Sequence, residues 1–217
     1  AAFSYLDLRP HAADATAPQL FAPMVSTGWS TQQTPTLALL RGLQEVIERD
    51  ALMGAWWGKY PIERWSTEAV LPLLGPLRHR IVRANLRYDW YRIVSPFAHH
   101  VTMVSLVGDD EVAGQPQPTS VFSIGSACRE TRAQSWQKAC LEAIQGRHYV
   151  RHLLASAGHC HEAPTSFAEH AVYYSDKPER LEETALGGAG APTPAGPADT
   201  LASYRARLEP RKVRFRL

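Results

Sequence analysis

One pattern narrows the possible folds before composition is considered: a glycine turn followed by a long amphipathic stretch occurs twice, 97 residues apart. Ser26 matches Ser123, Gly28 matches Gly125, Thr34 matches Thr131, Glu45 matches Glu142 and Ile47 matches Ile144, while Arg41 stands opposite Lys138 and Glu48 opposite Gln145. Recurrence at one offset is the mark of a supersecondary unit built twice. The unit here is a strand end, a glycine turn and a long helix. An α/β (α+β) fold follows, with two such units packed on a mixed β-sheet, and side-by-side packing would bring Glu45, Glu48, Glu142 and Gln145 towards a common point.

The first helix is expected over Leu37 to Trp57. Thr34 supplies a capping side chain and Pro35 sits at the first helical position, where its missing N–H breaks no helix bond. Leu39, Leu40, Leu43, Val46 and Ile47 gather on one side at a period of 3.6, with Arg41, Glu45 and Glu48 opposite, so the glutamate face reads as the one turned away from the core. Pro61 ends the region. The second helix, about Thr131 to Leu154, sets a polar stripe of Lys138, Glu142, Gln145 and Tyr149 against Ala133, Trp136, Cys140, Ala143 and Ile144.

Between the helices, Glu68 to Leu77 reads as helical, and Arg80 to Tyr88, Trp90 to Val94, His100 to Val107 and Thr119 to Ile124 read as strands. Gly108 to Glu111 reads as a turn and Gln115 to Pro118 as a loop. Gly125 is taken as the turn into the second helix. Outside this middle region, Gln19 to Phe21 is a candidate edge strand, Val25 to Ser30 a strand end entering a turn, and Phe167 to Tyr174 a short helix or strand. Residues 186–198, rich in Gly, Pro and Ala, read as a flexible linker; Leu201 to Leu208 is expected to be helical and Lys212 to Leu217 a strand. The reading is a single domain over 1–217, incomplete at one or both ends.

With 217 residues, 45% of them hydrophobic and 20% charged, the chain is long enough for a substantial core. A net charge of +2 without a dense Lys/Arg stripe gives no support for a nucleic-acid partner. No apolar run is long enough to cross a bilayer and no secretory signal opens the sequence, so a cytoplasmic location with no membrane partner is expected. Cys128, Cys140 and Cys160, an odd and unpatterned set, read as reduced thiols.

Glu45 and Glu48, three residues apart, lie side by side on a helix. Carboxylates with the Gln145 carboxamide oxygen are hard ligands suited to Mg²⁺, which keeps coordination positions for water and phosphate oxygens; Mg²⁺ with ATP is the natural guest. A di-iron bundle would need Glu-x-x-His pairs, which neither helix offers. His159-Cys160-His161 has no second ligand pair at finger spacing. P-loop, dinucleotide-binding and nucleophile-elbow motifs are all absent. A single Glu-x-x-Glu-Arg run is common on solvated helices, and it is the second copy that gives the first its weight.

Ser26-Thr27-Gly28, the helix ending Leu43-Gln44-Glu45-Val46-Ile47-Glu48-Arg49-Asp50-Ala51, and Trp56-Trp57 after it resemble the YcaO family. Gly125-Ser126-Ala127 with Leu141-Glu142-Ala143-Ile144-Gln145-Gly146-Arg147 is similar to that family's Glu-Ala-x-Gln-x-Arg helix. Phe167-Ala168-Glu169-His170 with Tyr173-Tyr174-Ser175 is similar to a later segment of it. The resemblance implies ATP-dependent activation of a backbone amide in a ribosomally made precursor peptide. In azoline formers, a Cys, Ser or Thr side chain attacks the preceding carbonyl. Carried over, Glu45, Glu48, Glu142 and Gln145 become the Mg²⁺ ligands, and Ser26, Glu45, Arg49, Glu142 and Arg147 the ATP and phosphate contacts, the two arginines in a phosphate or a structural role. An E1-like or leader-binding protein and a second copy of the chain are the protein partners considered. Two alternatives stay open: a non-catalytic YcaO-like scaffold that holds a partner or leader peptide, and a plain α/β domain whose repeated helices only pack.

Overall fold

The computed structural model describes residues 27–156, 158–160, 162–165, 167–194 and 196–211. The expected strands at Gln19 to Phe21 and Lys212 to Leu217, and Ser26 among the site residues, lie outside them.

Helix α1 spans Pro35–Trp56, and the Thr34 side chain accepts from the Leu37 N–H as its cap. It leads into β1 (Ile62–Trp65), a strand that the sequence reading passed over because it follows Pro61 directly. The stretch expected to be one helix to Leu77 is instead a single turn, α2 (Thr67–Val70), and a 3₁₀ segment, Leu71–Leu77, broken at Gly75. Gly75 has φ 56° and Pro76 follows it, so an α-helix cannot run through. Arg80, expected to open a strand, lies in α3 (Arg78–Ile81), and the strand begins only at Arg87.

Strands β2 (Arg87–Ile93), β3 (Val101–Asp110) and β4 (Thr119–Cys128) complete a four-stranded sheet in the order β1-β2-β3-β4. All three pairings are antiparallel. The expected turn at Gly108 to Glu111 is the end of β3: Gly108, Asp109 and Asp110 pair with Val121, Ser120 and Thr119. Glycine is required at 108 because a Cβ there would lie 2.7 Å from the Asn85 carbonyl oxygen. Beyond the sheet come α4 (Arg132–Ser156), α5 (Phe167–Asp176), a 3₁₀ turn at Pro178–Glu183, α6 (Leu201–Leu208) and a 3₁₀ turn at Glu209–Arg211. No helix among the described residues is long and apolar enough to cross a membrane.

Side chains alternate across a strand, and here that alternation separates two cores. Tyr91, Ile93, Val101, Met103, Phe122 and Cys128 point to one face and pack with Leu43, Ile47, Ala51 and Ala55 of α1. Trp90, Val104, Leu106 and Ala127 point to the other and pack with Trp136, Ala139, Cys140 and Ala143 of α4. The two long helices therefore lie on opposite faces of the sheet, not side by side. Gly125 stands within β4, not in a turn, because α4 presses its backbone onto the strand there. The equivalent glycine pair appears at α1, where a Cβ on Gly28 would lie 3.7 Å from the Gly42 carbonyl oxygen and 2.9 Å from Val46 Cγ2. Gly42 and Val46 stand at the same offset from Ala139 and Ala143, the residues that Gly125 faces.

Within the run 186–198, read as a flexible linker, the described residues 186–194 and 196–198 have fixed places along the sheet. Gly190 forms a parallel bridge with Glu63, Leu186 is buried in the α1 core, and the Thr193 hydroxyl donates to Glu63 Oε1 at 2.6 Å. The Pro197 carbonyl meets the His100 ring at 2.9 Å. Small residues suit a segment that lies flat on a strand edge, so this composition also fits close packing.

Candidate functional site

Glu48 departs from the expected face assignment. It is buried, 5% exposed, and Gln44 is 0% exposed, while Val46, expected in the core, is 45% exposed. The inward face of α1 is Leu43, Gln44, Ile47, Glu48, Ala51 and Ala55, and its two polar members are held by specific partners. Glu48 Oε1 accepts from the Ser126 hydroxyl at 2.7 Å and Oε2 from the Cys128 backbone N–H at 3.2 Å. Both donors come from β4, which among the described residues is one of the two edge strands of the sheet.

Burial pushes the Glu48 carboxyl above its ordinary value and the nearby charge of Glu142 pushes the same way; the bonds from Ser126 and Cys128 and the charge of Arg49 offset only part of this. Glu142 reaches this neighbourhood from the other face of the sheet. Its backbone lies against Gly125, next to Ser126, where a Cβ would come within 2.8 Å of the Glu142 carbonyl carbon. The Glu48 carboxylate and the α4 backbone at Glu142 thus lie on either side of β4 at Gly125 and Ser126. Glu142 is half-buried and paired with Lys138 at 2.6 Å, four residues back on its own helix.

Gln44 belongs to a second polar network. Arg41 donates to Gln44 at 2.7 Å and to Glu130 at 2.6 Å, and the Gln44 amide donates to Glu130 at 3.1 Å and to the Tyr204 hydroxyl at 3.2 Å. Burial pushes Glu130 up, yet these bonds and the Arg41 charge bring it below its ordinary value. The network ties α1, the β4–α4 connection and α6 together. A shallow cleft of about 330 Å³, lined by Trp56, Tyr173, Tyr174 and Arg180, lies at the C-terminal end of α1.

The family model for YcaO cyclodehydratase, described as ATP- and Mg²⁺-binding, matches residues 1–213. The chain belongs to the YcaO family. Its fold is similar to that of YcaO from Methanopyrus kandleri bound with AMPPCP and Mg²⁺, at 20% identity and a TM-score of 0.47, over 81% of this chain and 42% of that one. It is also similar to a heterocyclase in complex with substrate and cofactor, at 16% identity and a TM-score of 0.44, over 85% of this chain and 22% of that one. The chain thus spans less than half the length of these YcaO-like structures. No curated protein matches it.

Of the site residues expected for a YcaO protein, Glu48 and Glu142 come within electrostatic reach of one another. Glu45 is half-buried and Gln145 exposed, and neither side chain has a hydrogen-bonding partner among the described residues. Arg49 is exposed on α1. Arg147 is buried, and its guanidinium donates to the carbonyls of Val121 at 2.7 Å, Gly108 at 2.9 Å and Asp109 at 3.2 Å, besides pairing with Asp110. These contacts anchor α4 on the β3–β4 ladder.

Among the described residues no group of three His, Cys, Asp or Glu side chains gathers to hold a metal unaided. The donor set still fits Mg²⁺, which needs only one or two carboxylates when phosphates and water supply the rest. Glu48 is a buried carboxylate with two neutral donors, a like charge nearby and, among the described residues, no ion pair. A divalent cation would supply the missing opposite charge.

Ser126 and the Cys128 amide escaped the sequence reading as site groups. Their one signal was the alternation along β4, which puts Ser126 on the apolar α1 face between Ile124 and Cys128. A lone hydroxyl at such a position asks for a polar partner.

Proposed function

We propose that the chain uses Mg²⁺-bound ATP to activate a backbone amide of a ribosomally made peptide, forming azoline rings from Cys, Ser or Thr residues. The observation that carries this reading is the buried Glu48 carboxylate, held by β4 donors, within reach of the charge of Glu142 and without an ion pair among the described residues. In the reaction the Cys, Ser or Thr heteroatom gives up its proton and bonds to the preceding carbonyl carbon. The former carbonyl oxygen takes the γ-phosphoryl group of ATP and leaves as phosphate, and loss of the amide proton closes the C=N bond, with ADP as the other product.

Phosphoryl transfer asks mainly for positioning and charge neutralisation. Mg²⁺, when bound, supplies positive charge at the phosphates. Glu48 and Glu142 are assigned as its protein ligands, with Glu45 and Gln145 beside them on the same two helices. Ser26 and Arg49 are assigned to the phosphates. Arg147, with its donors turned to carbonyls, is assigned to holding α4 in place. The peptide partner enters this reading through the chemistry of the family; an E1-like or leader-binding protein and a second copy of the chain remain further partners to be sought by co-purification.

Mg²⁺ with a non-hydrolysable ATP analogue at about a hundred times its Kd should stabilise the protein by about 2.7 kcal/mol. For a chain of this size that raises Tm by about 5–10 °C. EDTA and the Glu48→Gln/Glu142→Gln double variant should each abolish the rise. No shift in the unaltered protein sinks the reading, and peptide capture indifferent to nucleotide would support the scaffold alternative instead.

A further inference from the structure

We infer that Ser126 is the positioning residue of the metal site, and that it sets the preference of Glu48 for Mg²⁺ over Ca²⁺. The inference rests on the proposed Mg²⁺-ATP reading. Glu48 is a four-bond side chain reaching from α1 to the strand edge, and by itself its carboxylate could rotate about the last bond. The Ser126 hydroxyl at 2.7 Å on one oxygen and the Cys128 N–H at 3.2 Å on the other fix the plane of that carboxylate. The Cys128 donor belongs to the backbone, and no substitution other than proline removes it. The Ser126 donor is a side chain, so the variable part of the clamp is this one hydroxyl.

A carboxylate offers about four acceptor positions, so each Glu48 oxygen keeps one for a cation. Held in this way, the open position on each Glu48 oxygen has a fixed direction, and the carboxylate cannot turn to follow the looser shell of a larger ion. Mg²⁺ demands near-octahedral ligands at about 2.0–2.1 Å, while Ca²⁺ accepts one- or two-oxygen carboxylates at about 2.3–2.6 Å in flexible shells. A locked carboxylate therefore favours the smaller ion, and a freed one loses that preference. The surroundings support a clamp and not incidental contact. Ser126 is 6% exposed, lies on the strand face packed against α1, and among the described residues its hydroxyl bonds to Glu48 alone.

The test is direct metal binding to the full chain in the presence of a non-hydrolysable ATP analogue, followed by calorimetry with Mg²⁺ and with Ca²⁺, alongside metal-free thermal melting. Removal of a group that orients a metal ligand typically costs 10–100-fold in metal affinity. Ser126→Ala should weaken Mg²⁺ by about tenfold and Ca²⁺ much less, so the ratio of the two affinities falls; Ser126→Thr, which keeps the hydroxyl, should restore it. Equal weakening of both ions, or none, in Ser126→Ala overturns the inference while leaving the Mg²⁺-ATP reading intact. Failure of the unaltered protein to bind either ion overturns both. The metal-free melting temperatures separate a loss of fold from a loss of affinity, and a misfolded Ser126→Ala passes the decision to Ser126→Cys, whose weaker donor should give an intermediate ratio.

Discussion

Gly125→Ala should cost the protein at least about 3 kcal/mol and abolish the nucleotide-dependent rise in melting temperature. The new methyl group would overlap the Ala139 carbonyl oxygen and the Ala143 amide nitrogen, and lie 2.8 Å from the Glu142 carbonyl carbon. All three obstacles are backbone atoms, so no change of rotamer relieves them. Helix α4 is pinned at this level by Trp136, Ala139, Cys140 and Ala143, each 0% exposed, so it cannot retreat without opening that core. Ordinary overpacking costs about 1–3 kcal/mol, and a clash with fixed backbone belongs at the upper end or beyond. Gly146→Ala is the control on the same helix. A Cβ there meets nothing closer than the Ile124 carbonyl at 3.4 Å, so removing a glycine from a helix interior should leave stability unchanged or raise it by up to about 1 kcal/mol. Urea titration of both variants decides the matter; an unchanged midpoint for Gly125→Ala would mean that α4 is not seated on β4.

Glu63→Ala should be comparably damaging, at about 3–5 kcal/mol, for an electrostatic reason. Arg92 is 7% exposed and donates to both Glu63 oxygens, at 3.0 and 3.1 Å, with further bonds to the His99 carbonyl at 3.0 Å and the Thr193 hydroxyl at 2.8 Å. Removing the carboxylate leaves a buried guanidinium with no counter-charge. Acid should act on the same pair. Burial alone would raise the Glu63 carboxyl, but the hydrogen bonds from Thr193 and Arg92 and the Arg92 charge outweigh it and bring it below its ordinary value of 4.5. A carboxyl depressed in the folded state stabilises above its unfolded value, and that contribution is lost as pH falls through the depressed folded value. The urea midpoint of the unaltered protein should therefore drop below about pH 4.5. In Glu63→Ala that part of the acid response should be missing.

These two sites show what could be read from the chain and what could not. Periodicity was enough to find both long helices, and Thr34 with Pro35 was enough to start the first within two residues. The paired glycines were legible as a repeat, but not their purpose, because close approach of two backbones leaves no periodic trace. The side of α1 that turns inward was misjudged at Val46 and Glu48 for a related reason. A helical wheel assigns polar residues outward, whereas here Gln44 and Glu48 are buried with partners supplied by Tyr204, Glu130, Ser126 and Cys128. Those partners lie about 80 to 160 residues away along the chain, and no local pattern contains them. The small-residue run at 186–198 misled in the same way, since composition reports how freely a segment can bend and not whether a strand edge awaits it.

That run also says something about the order in which the molecule assembles. Strands β2, β3 and β4 and helix α4 are sequential neighbours, so their contacts close short loops and form early. The stretch from Leu186 to Leu208 joins residues far back in the chain: Thr193 meets Arg92 across 101 residues and Glu63 across 130, and Tyr204 meets Gln44 across 160. Closing such loops carries an entropic cost before any contact compensates for it. This segment should close last and open first, as a separate cooperative unit. In native-state hydrogen exchange, the bridge amides of Arg64 and Gly190 should then exchange sooner than those along the β3–β4 ladder. The clasp that shields Arg92 would thus be the molecule's earliest point of unravelling.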